Sequence, residues 1–254
     1  MQHFLVKPEQ IAGHEIRIQG PDVHHIARVL RMHPGEEISV SDGVTDREYR
    51  CGIESISEDE VLCSLRFIKE GGVELPLRIT LFQGLPKADK MELIIQKATE
   101  LGAAEFIPVA TERSVVQLDE KKYEKKRERW QGIAEAAAKQ SRRSIVPDVG
   151  GLMSMKQALK LAAEMDLAAI PYELAEGMNA TVEFTERFLK LAGEKKGAQI
   201  GIFIGPEGGF SEEEASAAAA AGVMPISLGR RILRTETAGM SLLSYMMLRL
   251  EMGV

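Results

Sequence analysis

At 254 residues, with 44% hydrophobic and 28% charged positions, the chain is long enough for one large domain or two modest ones with real cores. A formal net charge of −6 excludes a globally basic nucleic-acid binder and leaves any such contact to local patches. Cys51 and Cys63 form neither a CxxC nor a Cys/His cluster, no apolar run reaches membrane-spanning length, and residues 1–10 lack a signal-peptide core; a cytoplasmic protein without metal or membrane partners is expected.

In chain order, residues 1–71 read as a small, mostly β module. "EEISVSDG" (36–43) and "REYRCGIESI" (47–56) are strand-like runs on either side of a turn at Ser41-Asp42-Gly43, and "VLCSLRFIK" (61–69) is a third. "PDVHHIARVLRM" (21–32) is expected to form a short helix capped by Asp22. The module should be barrel-like. Lys69–Pro76 has the Gly and Pro of a linker, which sets the boundary between a domain of 1–71 and one of 72–254.

From Leu77 strands and helices alternate. Residues 77–84 are a buried strand. Residues 88–102 are a helix with Met91, Ile94, Ile95, Ala98 and Leu101 on one face and Gly102 as its stop. A strand at 104–111 precedes a long charged helix at Glu120–Ser141. Residues 166–173 and 199–209 are strands running into loops, the second apolar on both faces as a parallel sheet requires. A helix over 212–222, a short strand over 223–229 and a helix over 236–250, apolar nearly all round, complete the chain. The pattern is that of an α/β domain with a parallel sheet.

In such sheets ligands bind at the carboxyl ends of strands. Three loops there are unusual: "IPYE" (170–173), "IGPEGGF" (204–210) and "LGRRILRTETAG" (228–239). The glycine loop is no phosphate cradle. Ser211 and Glu214 have capping-box spacing, Glu212 and Glu213 add negative charge at the helix start, and Gly205, Gly208 and Gly209 do not make GxGxxG. It holds a neutral or cationic ligand, or it is a tight turn with no ligand. In the last loop Arg230, Arg231 and Arg234 crowd Ile232 and Leu233, either a solvated basic turn or a pocket with an apolar wall and an anion-handling rim.

"QGLPKADKMELIIQKATELG" (83–102), "IGPEGGFSEEE" (204–214) and "LGRRILRTETAGM" (228–240), with "HHIARVLRMHPG" (24–35) in the first module, resemble the ribosomal-RNA small-subunit methyltransferase E family of the SPOUT superfamily. The resemblance spans nearly the whole chain. It implies a PUA-like β-barrel followed by a SPOUT domain with a deep trefoil knot, a homodimer, and S-adenosylmethionine as cofactor. It implies methylation of N3 of one uridine in the decoding region, with 16S rRNA or the small ribosomal subunit as partner. The cofactor residues so implied are Ile170, Pro171, Tyr172 and Glu173; Ile204, Gly205, Pro206, Glu207, Gly208 and Gly209; and Leu228, Gly229, Ile232, Leu233 and Arg234. The glycines would let backbone approach the cofactor, and Leu228, Ile232 and Leu233 would flank its adenine.

Uracil N3 must lose a proton before or during methyl transfer. Arg234 suits stabilisation of the resulting charge on the carbonyl oxygens, since its guanidinium stays charged and its donors are directed. Glu236 is either a base or a plain helix-start carboxylate. All five histidines lie in the first module, so imidazole catalysis from the second is not expected. Candidate RNA contacts are His25, Arg28 and Arg31 in the first module, then Lys87, Lys90, Arg113, Arg142, Arg143, Arg230 and Arg231. Lys87 and Lys90 sit at a helix start, where cations are disfavoured, which suggests a substrate or dimer contact. A methyltransferase acting on another RNA and a non-catalytic RNA-binding assembly factor remain the competing assignments.

Overall fold

A computed structural model describes residues 1–252 apart from Gln117, Leu174 and Glu176. The chain forms two compact units, one of residues 1–74 with 138–146, the other of 75–137 with 147–254.

The first unit is a six-stranded sheet of β1 (Gln2–Leu5), β2 (Ile11–Ala12), β3 (Glu15–Gln19), β4 (Glu37–Ser41), β5 (Arg47–Ile56) and β6 (Glu60–Glu70). Its order is β1-β4-β5-β6-β3-β2, antiparallel except for the β1–β4 pair. Register shifts at Arg50/Cys51 and Ile53/Ser55 in β5 curl the sheet around a core of Phe4, Ile16, Ile18, Ile26, Ile38 and Val61. Asp42 holds the turn after β4 by accepting from the backbone N–H of Val44 and Thr45 and the Thr45 hydroxyl, at 2.9, 2.7 and 2.6 Å. The segment expected to be one helix is a short α-helical turn, α1 (Pro21–His24), running into a π-helical turn at His25–Val29. Asp22 does not cap it: Pro21 and Asp22 lie inside the first turn, and the Asp22 carboxylate pairs with Lys139 at 2.8 Å.

Residues 138–146 join this unit through Glu74. That carboxylate accepts from the Arg143 guanidinium, at 2.5 and 3.1 Å, and from the backbone N–H of Ser144 and Ile145, at 3.0 and 3.1 Å. With Arg143 only 4% exposed, the expectation that it grips RNA is corrected: its charge is consumed by a buried pair.

The second unit carries β7 (Leu77–Gly84), β8 (Glu105–Ala110), β9 (Asp148–Val149), β10 (Met153–Ser154), β11 (Leu167–Pro171), β12 (Ala198–Ile204) and β13 (Met224–Ile226). The order is β10-β8-β7-β12-β11-β13, with β9 also on β8, and every pairing is parallel. Its helices are α2 (Lys90–Glu100), α3 (Glu120–Ser141, whose last residues belong to the first unit), α4 (Met155–Ala162), α5 (Asn179–Glu194), α6 (Glu212–Ala220) and α7 (Thr235–Met252). This is the α/β class with a parallel sheet that strand–helix alternation requires. The central strands β7 and β12 are apolar on both faces, and register opposes Phe82 to Phe203, whose rings stack at 4.4 Å. Because β12, β11 and β13 are parallel neighbours, their carboxyl ends and the three unusual loops lie at one edge of the sheet.

Candidate active site

The loops after β11, β12 and β13 enclose a cleft of about 390 Å³. Pro171, Tyr172 and Glu173 line it from the first loop, Ile204 to Phe210 from the second, and Ser227 to Thr235 from the third, with Ala238 and Lys90 beside them. Every residue expected at a cofactor site except Ile170 is therefore at the cleft; Ile170 is fully buried in β11 and supports it from behind.

The glycine loop is fixed by its own packing. A Cβ on Gly205 would lie 3.1 Å from the Gly209 backbone and 3.3 Å from the Phe210 ring, and one on Gly208 would meet Arg113 Cβ at 3.0 Å. A Cβ on Gly84, at the end of β7, would lie 2.6 Å from Pro206. These glycines are needed for the chain to pack on itself, before any ligand is considered. The Ser211–Glu214 capping box is formed, with reciprocal bonds of 3.2 and 3.0 Å, and the second Glu214 oxygen accepts from the Glu112 N–H at 2.8 Å. Two backbone donors at that helix start, those of Ser211 and Glu214, are thus already used.

Two expected RNA contacts, Arg113 and Lys90, take other partners. Arg113 donates to the Gly208 carbonyl at 3.1 Å. Lys90 pairs with Glu207 at 2.9 Å and approaches Glu236 at 3.5 Å, which offsets the cost of a cation in the first turn of α2. The Lys87 backbone N–H donates to the Glu207 carboxylate at 3.2 Å, across a turn in which Ala88 has φ 53°. Glu207 is thereby neutralised. Burial opposes its ionisation, but the Lys90 ammonium and backbone N–H groups outweigh burial and hold its pKa below the ordinary carboxylate value. The Glu207 hydrogen bond raises Lys90 above the usual ammonium value. Glu173, exposed and without an ion pair among the described residues, is the carboxylate left to face a cation.

Gln83 was not singled out in the sequence, and Thr235 only as a cap for the last helix. The fully buried Gln83 amide donates to Thr235 Oγ1 at 2.9 Å, and the Thr235 hydroxyl donates to the Gly205 carbonyl at 2.6 Å. That chain ties the end of β7, the glycine loop and the start of α7 together. The available signal was a lone amide at the end of a mostly buried strand, "LRITLFQG".

Leu228 and Leu233 are half-buried and form an apolar wall with Phe210 and Pro171. Ile232, expected in that wall, stands at the rim with 86% of its surface exposed. Arg230, Arg231 and Arg234 are exposed at the cleft mouth and carry no ion pair among the described residues. Glu236 is half-buried behind Lys90. In the first unit His25, Arg28, Arg31 and Arg142 are exposed.

Residues 73–247 match the family model for an RNA methyltransferase domain, and residues 18–66 match that for an RNA methyltransferase PUA domain. Over 237 residues the chain is 41% identical to the ribosomal RNA small subunit methyltransferase E of Bacillus subtilis, covering 92% of this chain and 90% of that one. The chain belongs to the ribosomal RNA small subunit methyltransferase E family. A methyltransferase E from Neisseria gonorrhoeae, solved bound to S-adenosyl methionine, matches with a TM-score of 0.79 and 28% identity, covering 97% and 96% of the two chains. A crystal structure of a hypothetical protein matches over the full length of both chains with a TM-score of 0.85 and 38% identity. The RNA methyltransferase domain and the PUA-like unit before it are those of this family. Among the described residues no helix is long and apolar enough to cross a membrane.

Proposed function

We propose that the chain methylates N3 of a uridine in the decoding region of 16S rRNA, with S-adenosylmethionine held in the cleft at the ends of β11, β12 and β13. The observation that carries this proposal is the charge pattern of the cleft. Its interior offers backbone and apolar surface; among the described residues Glu173, on its lining, has no ion-pair partner, and neither do the three guanidinium groups at its mouth. A cationic cofactor inside and a polyanion outside match that division.

Bound there, S-adenosylmethionine supplies an electrophilic methyl group. The chain's own residues do the rest. Leu228, Leu233 and Phe210 present the apolar wall for an adenine ring, and the glycine loop presents backbone without side chains. Arg234, at the mouth, donates to the uracil carbonyl oxygens and stabilises the negative charge that develops when the N3 proton leaves. Glu236 holds Lys90 from the far side of the ion pair; in this role it positions rather than accepts the proton. Arg230 and Arg231, with His25, Arg28, Arg31 and Arg142 of the first unit, contact the RNA backbone.

The trefoil knot is part of the same proposal, with the Gln83, Thr235 and Gly205 ties holding the segments that cross. So is a homodimer through the second unit, supported by the exposed apolar surface of Leu93 on α2 and Tyr245, Leu248 and Met252 on α7. Mass spectrometry of rRNA nucleosides from a strain lacking the gene tests the activity. 3-Methyluridine should vanish from 16S rRNA and return on complementation; its persistence, or loss from another RNA instead, overturns the proposal.

A further inference from the structure

We propose, on the footing of the uridine-N3 activity above, that Ile232 is a wedge that unstacks the target nucleotide and turns its pairing edge toward the cleft. N3 lies on the edge through which uracil pairs, so the base must leave any helix before the atom is reached. Proteins that open a base step commonly insert an aliphatic side chain into it. Ile232 is placed for this. It is the most exposed large hydrophobic residue among those described, at 86%, and it stands at the cleft rim rather than on a remote surface.

The loop that carries it is anchored at its base. The Thr181 hydroxyl donates to the Ser227 carbonyl at 2.7 Å, the Gly229 N–H donates to Ser227 Oγ at 3.2 Å, and Thr235 is tied to Gly205 at 2.6 Å. Both ends of the loop are therefore fixed, with the apolar tip between them. Its neighbours decide the occupant. Arg230, Arg231 and Arg234 flank it, all exposed and without an ion pair among the described residues. That setting suits a phosphate backbone, whose contacts would register the wedge against one base step. It opposes a second copy of the chain, because a two-fold contact through this patch would bring the same guanidinium groups together.

The test uses the full-length protein and two hairpin RNAs carrying the small-subunit rRNA segment that the wild type methylates. In one the target uridine is paired; in the other the same uridine is bulged. Single-turnover methylation is measured for wild type, Ile232→Ala and Ile232→Leu, with cofactor affinity by calorimetry and oligomeric state by light scattering. Ile232→Ala should lose about tenfold or more on the paired RNA and less than about threefold on the bulged one, since a bulged base needs little unstacking. Ile232→Leu should restore the wild-type ratio between the two RNAs. Equal loss on both RNAs, a fall in cofactor affinity that accounts for the rate, or a change of oligomeric state each overturns the wedge. A wild type that modifies no uridine at N3 in either RNA refutes the underlying activity instead.

Discussion

The loops at 204–210 and 227–234 line the same cleft and solve opposite problems. In the first, several carbonyls and the one acidic side chain are committed within the chain. Gly209 donates to Pro206 at 3.0 Å, Arg113 and Thr235 hold the Gly208 and Gly205 carbonyls, and Lys90 and the Lys87 N–H hold the Glu207 carboxylate. In the second, the hydrogen bonds among the described residues tie the ends, and Arg230, Arg231, Ile232 and Arg234 all face solvent. The difference teaches where to look for each role. A loop whose carbonyls and carboxylate are held by the chain shapes a pocket, whereas a loop that leaves charges unspent can still bind and react.

Substitutions can break this contrast. The largest effect is expected at Arg234. Lysine keeps the charge and loses the planar fork, so Arg234→Lys should lower turnover by about 10²–10³, with cofactor affinity nearly unchanged. In the packed loop the opposite outcome is expected. Gly205→Val must push aside the Gly209 backbone and the Phe210 ring, which should destabilise the second unit by about 1–3 kcal/mol and lower cofactor affinity about tenfold or more, measured by thermal melting and calorimetry.

The Glu207 contact gives a pH signature. Its pKa is lower in the folded state than the unfolded value of about 4.3, so its contribution is complete above that value and is lost as pH falls through the depressed one. Glu207→Gln should lower melting temperature at neutral pH and flatten its dependence on pH below about 4.5. The smallest effect is expected for Arg113→Ala. It removes one exposed hydrogen bond to Gly208 and should change cofactor affinity by less than about tenfold.

Much of the fold was legible because its elements are strongly patterned. The strand at 77–84, the strand at 47–56 and the helix at Glu120–Ser141 form with the limits their sequences suggest. Helix α5 was legible but passed over: Thr181, Phe184, Thr185 and Phe188 are its buried face, at helical spacing. The turn at 21–29 misled because Asp22 resembles a cap while Pro21 already occupies the first helical position. At the site, the three loops stood out by composition, and glycine and arginine clusters mark them even without a fold. The pairings did not. Arg143 with Glu74, Lys90 with Glu207 and Gln83 with Thr235 join residues 69, 117 and 152 positions apart, and no local pattern encodes such a partner.

The contrast between the two loops is tested most directly by measuring cofactor affinity and single-turnover methylation at saturating RNA on the same two proteins, Arg234→Lys and Gly205→Val. The account predicts that Arg234→Lys binds S-adenosylmethionine like wild type and methylates about 10²–10³ more slowly, while Gly205→Val binds it weakly and recovers much of its rate when the cofactor is saturating. A near-normal single-turnover rate in Arg234→Lys, with only RNA affinity reduced, would contradict it.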